Sequence, residues 1–204
     1  MSMTKGILSD GDYYCDHIKE SDLKDIKDFT VRDPERASGL EDYIKKWAWE
    51  DEHDGLMRTY IVRDQETDEL VGYFSIKAAM MSVNERKKLD WRTGRMRIYF
   101  DTMPGIEIAD FAVNETYIEH NEEVRGIGVL IFYEFIYKIV TEIAEMLGVK
   151  YLFIYALPYD TLIDRYTKYY HFRRLPEELE QKLHKRIKPE YDDDCYFMYQ
   201  KLKG

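Results

Sequence analysis

The chain has 204 residues, 45% of them hydrophobic and 15% aromatic, enough for one domain, or one with a sizeable embellishment, around a buried core. A formal charge of −10 and a pI near 5.1 argue against general nucleic-acid binding, which draws most of its affinity from Lys and Arg on phosphates. The two cysteines, Cys15 and Cys195, are far apart, lack metal-ligand spacing and read as reduced thiols of a cytoplasmic protein.

Met1 to Asp12 lacks the basic start and apolar run of a signal peptide. Leu23, Ile26 and Phe29 are spaced for one face of a helix over 20–29. A second helix is predicted over about 40–52, turning Leu40, Tyr43, Ile44, Trp47 and Ala48 inward, with Gly55 as its stop. Met57 to Arg63 and Leu70 to Ala78 read as two strands of an antiparallel hairpin around the polar turn 64–69. The stretch 82–105 is polar and reads as a long connection, an insertion carrying a short helix or hairpin of its own.

The second half is more regular. Ile106 to Val113 is a strand ending at Asn114, and a polar loop leads from Glu115 to Gly126-Ile127-Gly128. The helix that follows aligns Val129, Phe132, Tyr133, Ile136, Ile139, Val140, Ile143 and Leu147 on one face, and Gly148 closes it. Glu134, Lys138, Glu142 and Glu145 interrupt that apolar run, so it is an amphipathic helix and not a membrane span. Val149 to Leu157 is almost continuously apolar, as a strand buried on both faces should be, and Pro158 ends it. A helix from about Thr161 to Tyr170 and a last strand from Cys195 to Leu202 complete the chain. Strand, glycine turn, helix and apolar strand form a right-handed βαβ unit inside an otherwise antiparallel arrangement. The predicted class is α+β, a mixed, mostly antiparallel sheet with helices on both faces, in a single domain over 1–204 with an insertion around 82–105.

The turn at the start of the long helix carries the chemistry. First-turn amides have no partner inside a helix, and the helix dipole makes that end electropositive. Gly126 and Gly128 let a diphosphate approach the backbone without meeting a Cβ, and Arg125 can add a charge-assisted contact. A dinucleotide fingerprint needs a third glycine where Ile131 stands, and a P-loop needs Lys and Ser or Thr where Val129 and Leu130 stand. The bland alternative is a tight loop in which glycine only permits the turn.

Two further clusters read as solvated surface: the basic positions Arg173, Arg174, Lys185, Arg186 and Lys188, and the acidic run Asp192 to Asp194, which lacks the ligand spacing of a calcium loop. His17, His53, His120, His171 and His184 show no ligand spacing with acids or cysteines, so no metal site is expected.

The run Ile106 to Val113 followed by Glu123 to Gly128 resembles the core of the GNAT superfamily of N-acetyltransferases, whose turn has the form Gln/Arg-x-x-Gly-x-Gly/Ala. Asp164 to Phe172 resembles that family's Tyr-containing helix with its Gly-Phe ending, and a weaker similarity spans 36–202. Arg58 to Val62 and Val71 to Phe74 look most like the branch that includes tRNA-acetylating toxins.

The resemblance implies a coenzyme A diphosphate held by backbone groups of Val124, Arg125, Gly126, Ile127, Gly128 and Val129, with the pantetheine arm beside Phe111, Ala112 and Val113. It also implies a central parallel strand pair that splays apart around the thioester. Tyr166 matches the tyrosine that protonates the departing thiolate; Tyr169 is a second candidate, because the segment carries one extra residue relative to the pattern. Glu107 falls where the histone-acetylating branch places its general base, and Asp110 is another carboxylate able to take a proton from the amine. The chain departs from the pattern at Glu123, in the longer loop 117–123 and at His171, where glycine is usual.

The function so implied is direct transfer of acetyl from acetyl-CoA to an amine acceptor, without a covalent enzyme intermediate and without a metal. The alternatives are acetylation of aminoacyl-tRNA, or a non-catalytic acyl-CoA-binding module. A third reading has the aromatic tail Tyr191 to Tyr199 pairing with a second copy through an exposed strand, giving a homodimer.

Overall fold

The computed structural model describes residues 6–185 and 195–202, so Arg186, Lys188 and the acidic run at 192–194 lie outside the described residues. Two short strands not expected from the sequence open the chain, β1 (Leu8–Ser9) and β2 (Tyr13–His17), and β2 pairs antiparallel with β3 (Arg58–Asp64). The segment expected as a helix over 20–29 is only a 3-10 turn (Glu20–Asp22) and a short α1 (Leu23–Ile26). Its acids explain the shortening: Asp22 and Asp25 turn inward onto the buried Arg63 guanidinium, at 2.7 and 2.9 Å. The helix expected over 40–52 begins earlier, because Pro34 is preorganised for a first helical turn, and it is two helices, α2 (Pro34–Lys46) and α3 (Ala48–Asp54), broken at Trp47. Gly55 closes α3 in the left-handed conformation at φ 73°, as its position predicts.

The stretch 82–105 does hold a hairpin, one of the two forms expected there, but it is longer than a local one. β4 (Leu70–Asp90) and β5 (Arg95–Val113) simply continue through it and meet at a tight turn where Gly94 has φ 65°. Its polarity looked like a loop because charged residues face one another across the hairpin: Arg86 bonds Asp101 and Arg97 bonds Asp90, both at 2.6 Å.

The expected polar loop after Asn114 holds α4 (Glu115–His120). The long helix runs as α5 (Ile127–Leu130), a wider π segment (Ile131–Ile136) and α6 (Tyr137–Leu147), closed by Gly148 at φ 66°. Then follow β6 (Tyr151–Ala156), α7 (Asp160–Lys168), β7 (Arg173–Arg174), α8 (Glu177–His184) and β8 (Tyr196–Lys201). No helix among the described residues is long and apolar enough to cross a membrane.

The chain divides into two compact units. The first takes Met1–Lys77 and Ile108–Glu142, with strand order β1-β2-β3-β4-β5. Helices α1 to α3 cover its sheet around a core containing Ile26, Phe29, Ile44, Ile61, Tyr73 and Ala112. The second takes Ala78–Glu107 and Ile143–Gly204, where the order is β4-β5-β6-β8-β7 and the core is Met81, Phe153, Leu175, Leu183 and Phe197. β6 pairs antiparallel with β8, and β8 with β7. β5 and β6 are sheet neighbours linked by the crossover helix, which makes them the parallel pair of a largely antiparallel sheet, the α+β class expected from the sequence. β8 is no free edge. β6 lies along its whole length, and its other side meets β7 at Met198 and Tyr199 and the Glu180 carboxylate at the Phe197 amide (2.6 Å), so the expected pairing of this strand with a second copy lacks its edge.

Burial pushes Cys15, Tyr43 and Tyr60 up to about 12. Each keeps its proton in the native state at a pH where the unfolded chain, with ordinary values of 9.0 and 10.0, has lost it. Native stability is therefore intact below the unfolded values and falls as pH rises through the folded ones. The urea midpoint is expected to fall steeply between about pH 9 and 11 with little change in slope; a flat midpoint over that range would contradict this account.

Candidate acyl-CoA site

In the first unit the strand that should carry the pantetheine arm ends at a well-tied point. The Asn114 amide donates to the Val71 carbonyl (2.9 Å), its side-chain Nδ2 donates to the Leu70 carbonyl (2.8 Å), and its Oδ1 accepts from the Thr30 amide (3.1 Å). Side chains alternate along β5, so Ile108, Asp110 and Ala112 are buried on the side of the helical core, and Phe111 and Val113 are half-buried on the other. Gly72 in β4 shows how tightly this end is built: a Cβ there would sit 2.7 Å from the Ala112 carbonyl and 3.1 Å from the Ile131 side chain. The end of β5 and the helix that follows the glycine turn are thus both packed against one residue.

The turn has the geometry of a helix start with a glycine cap. Gly126 adopts φ 73° and ψ 14°, and its carbonyl accepts from the amides of Val129 (2.9 Å) and Leu130 (3.1 Å). A Cβ at Gly126 would meet nothing within 4 Å, so the glycine serves backbone conformation and an open approach, not close packing. Ile127 is buried and anchors the turn, Gly128 and Val129 are half-buried, and Val124 is tied by its amide to the Asn121 carbonyl (3.0 Å). Arg125 is held within its own loop. Its guanidinium folds back on its own loop, onto the Glu122 carbonyl and, at 3.0 Å, the Val124 carbonyl.

Asp110 is 8% exposed, and the helix-covered face around it is polar. The Tyr43 hydroxyl lies 3.4 Å from Thr59 Oγ1, which lies 2.9 Å from Ser75 Oγ, and the Tyr73 hydroxyl donates to the Leu40 carbonyl at 2.6 Å. Burial raises the Tyr73 hydroxyl well above its ordinary value, and the Asp110 charge adds to that shift. Sequence reasoning missed these neighbours. Their signal is a polar residue at alternate positions of otherwise apolar strands, at Thr59 and Ser75.

In the second unit Glu107 is 7% exposed. Its charge adds to the burial that raises the hydroxyl of Tyr155, a β6 residue that the sequence did not single out. Tyr166 and Tyr169 are well separated in character: Tyr166 is 8% exposed and Tyr169 58%. The Tyr166 ring meets Phe172 edge-on at 5.8 Å and Tyr170 at 5.5 Å, and burial holds its hydroxyl far above the ordinary phenol range. His171 stands at φ 58°, in the left-handed region, so the backbone shape for which glycine is usual persists with a side chain present. The amide of Phe172 closes this turn on the Tyr166 carbonyl at 3.0 Å.

Among the described residues no group of three or more His, Cys, Asp or Glu side chains could hold a metal ion. No protein-family model and no curated protein sequence matches the chain. Solved structures do. A crystal structure described as a bacterial toxin superposes with a TM-score of 0.62 at 13% identity, covering 93% of this chain and 90% of its own. The toxin AtaT complexed with acetyl-methionyl-tRNAfMet gives 0.61 at 12% identity, covering 91% and 94%. A phenylalanine-for-tyrosine mutant of the toxin KacT gives 0.56 at 13%, covering 93% and 95%. The chain shares the fold of these proteins, the GNAT-like fold expected from its sequence.

His171 supplies a direct check on the turn after Tyr166. A left-handed residue with a Cβ costs roughly 1–2 kcal/mol that glycine avoids, partly offset by the greater freedom of glycine in the unfolded chain. His171→Gly is expected to hold or raise the thermal midpoint and His171→Val to lower it; equal losses in both would mean that the His171 side chain, not its backbone, holds the turn.

Proposed function

We propose that this chain is a cytoplasmic N-acetyltransferase that moves acetyl from acetyl-CoA to an amine. The observation that carries this reading is the glycine-capped helix start at Gly126, which follows β5 and α4, in a fold whose solved neighbours include AtaTR bound with acetyl-CoA. In this reading the coenzyme diphosphate lies on the first-turn amides of Ile127 and Gly128, flanked by Val124, Arg125 and Val129. The pantetheine arm runs beside Phe111, Ala112 and Val113.

The amine reaches the site protonated and loses its proton to a carboxylate, Glu107 or Asp110, directly or through water. Its lone pair attacks the thioester carbon, the carbon–sulfur bond breaks, and sulfur leaves as coenzyme A thiol after taking a proton. Tyr166 is the proposed donor. A phenol is neutral at pH 7 and so has a proton to give; Tyr169, exposed, is the weaker choice. No nucleophilic side chain is needed.

A second reading of the acceptor has a specific support. AtaT has been solved with an acetylated aminoacyl-tRNA, and the chain shares that protein's fold over nine-tenths of its length. We therefore favour an α-amine carried on tRNA over a free metabolite.

Release of coenzyme A thiol, followed colorimetrically with a panel of amines and with aminoacylated tRNA, tests the whole scheme. Tyr166→Phe is expected to lower kcat by about 100-fold with little change in KM for acetyl-CoA, and Glu107→Gln to lower kcat most at the acid end of the pH profile. Unchanged turnover in both variants would remove these roles. Coenzyme A binding without turnover on any acceptor would instead favour a non-catalytic acyl-CoA-binding module.

A further inference from the structure

The far end of the β4–β5 hairpin has a charge opposite to that of the chain. Residues 85–101 hold six Lys or Arg and three Asp or Glu, a net charge of +3 in a protein whose formal charge is −10. The two cross-strand ion pairs set the faces: Arg86 with Asp101, and Arg97 with Asp90, put Arg86, Lys88 and Asp90 on the same side as Arg95, Arg97, Tyr99 and Asp101. The three acids are each matched, since Glu85 lies 3.9 Å from Lys87. Lys88, Arg92 and Arg95 have no acidic partner among the described residues. They cluster at the hairpin tip, where Trp91 is 81% exposed with the Arg92 guanidinium 5.0 Å from its ring.

Uncompensated cations interleaved with exposed aromatic rings are what a polyanion with stackable bases requires, the cations meeting phosphates and the rings meeting unpaired bases. We propose that the tip and basic face of this hairpin bind RNA, with Lys88, Arg92 and Arg95 on phosphates and Trp91 and Tyr99 against unpaired bases. The proposal names the carrier of the acceptor amine and rests on the acetyl-transfer reading only for that consequence. RNA binding itself needs no acetyl-CoA. The opposite face, with Leu89, Met96 and Ile98 exposed, is where a second copy of the chain would sit instead.

Fluorescence anisotropy of a labelled RNA hairpin with an unpaired 3′ end, without acetyl-CoA, tests this. Wild-type affinity should fall steeply with salt. Combined Lys88→Ala, Arg92→Ala and Arg95→Ala should weaken binding at least about tenfold and flatten the log–log salt slope by about 2–3. Trp91→Ala should weaken it about tenfold with the slope unchanged. Circular dichroism checks that each variant is folded. No RNA binding at low salt, or equal binding by the triple variant, overturns the proposal. So does a dimer, seen by light scattering, that Leu89→Glu dissolves and that binds no RNA. Thiol release with small amines is measured in parallel: turnover without RNA binding sinks this inference and leaves acetyl transfer standing, and RNA binding without turnover does the reverse.

Discussion

Asn114 fixes where β5 ends, and most of what matters functionally is measured from that point. Its side chain satisfies the Leu70 carbonyl and the Thr30 amide at once, from a position only 6% exposed. Buried amides with both ends occupied are costly to move, because any shift leaves two backbone groups unpaired, at about 1–3 kcal/mol each. The strand cannot slip in register without breaking these bonds. α4 starts on the next residue, its first amide donating to the Thr30 carbonyl (2.9 Å), so the polar segment up to Gly126 hangs from a fixed end. A glycine cap can offer its helix amides to a ligand only if strand and helix hold still on either side, and Asn114 and the crowded Gly72 contact supply that rigidity.

The second half of the sequence was readable because its elements bury one continuous apolar face. β6 follows its expected pattern, and the long helix buries Phe132, Ile136, Ile139 and Val140 of its predicted face, although its π segment turns Ile131 and Phe135 inward as well and Leu147 is exposed; Gly126 and Gly148 both take the positive φ their positions required. Misreadings occurred where charge replaced hydrophobicity as the organising force. By hydropathy the far half of the β4–β5 hairpin reads as a polar connection with only a short helix or hairpin of its own, since its cross-strand pairs are Arg with Asp and not apolar with apolar. The segment after Lys19 reads as a longer helix, because no local pattern reveals that Asp22 and Asp25 will be drawn onto Arg63, forty-one residues beyond Asp22. Long-range ion pairs leave no period in the sequence.

At the site the same division holds. The shape of the turn was legible because a glycine-capped helix start is a local property of the backbone. The Arg125 guanidinium bonds carbonyls of its own loop, a contact that spacing in the sequence does not reveal. Tyr155, Tyr43 and Tyr73 were invisible, since their relation to Glu107 and Asp110 comes from strand pairing and helix packing and not from spacing.

Glu107 and Asp110 are three residues apart on one strand, so they lie on opposite faces of it. Each raises the proton affinity of a neighbouring phenol, Tyr155 for Glu107 and Tyr43 and Tyr73 for Asp110. In the proposed reaction a single thioester faces only one of them. The other then has a purely structural cost, a buried charge that must be repaid by hydrogen bonds. Asp110 has the surroundings for that second role: Tyr43, Thr59 and Ser75 form a chain of hydroxyls beside it, and the face is covered by α2. In the proposed reaction Glu107 is then the carboxylate left to exchange a proton with the incoming amine.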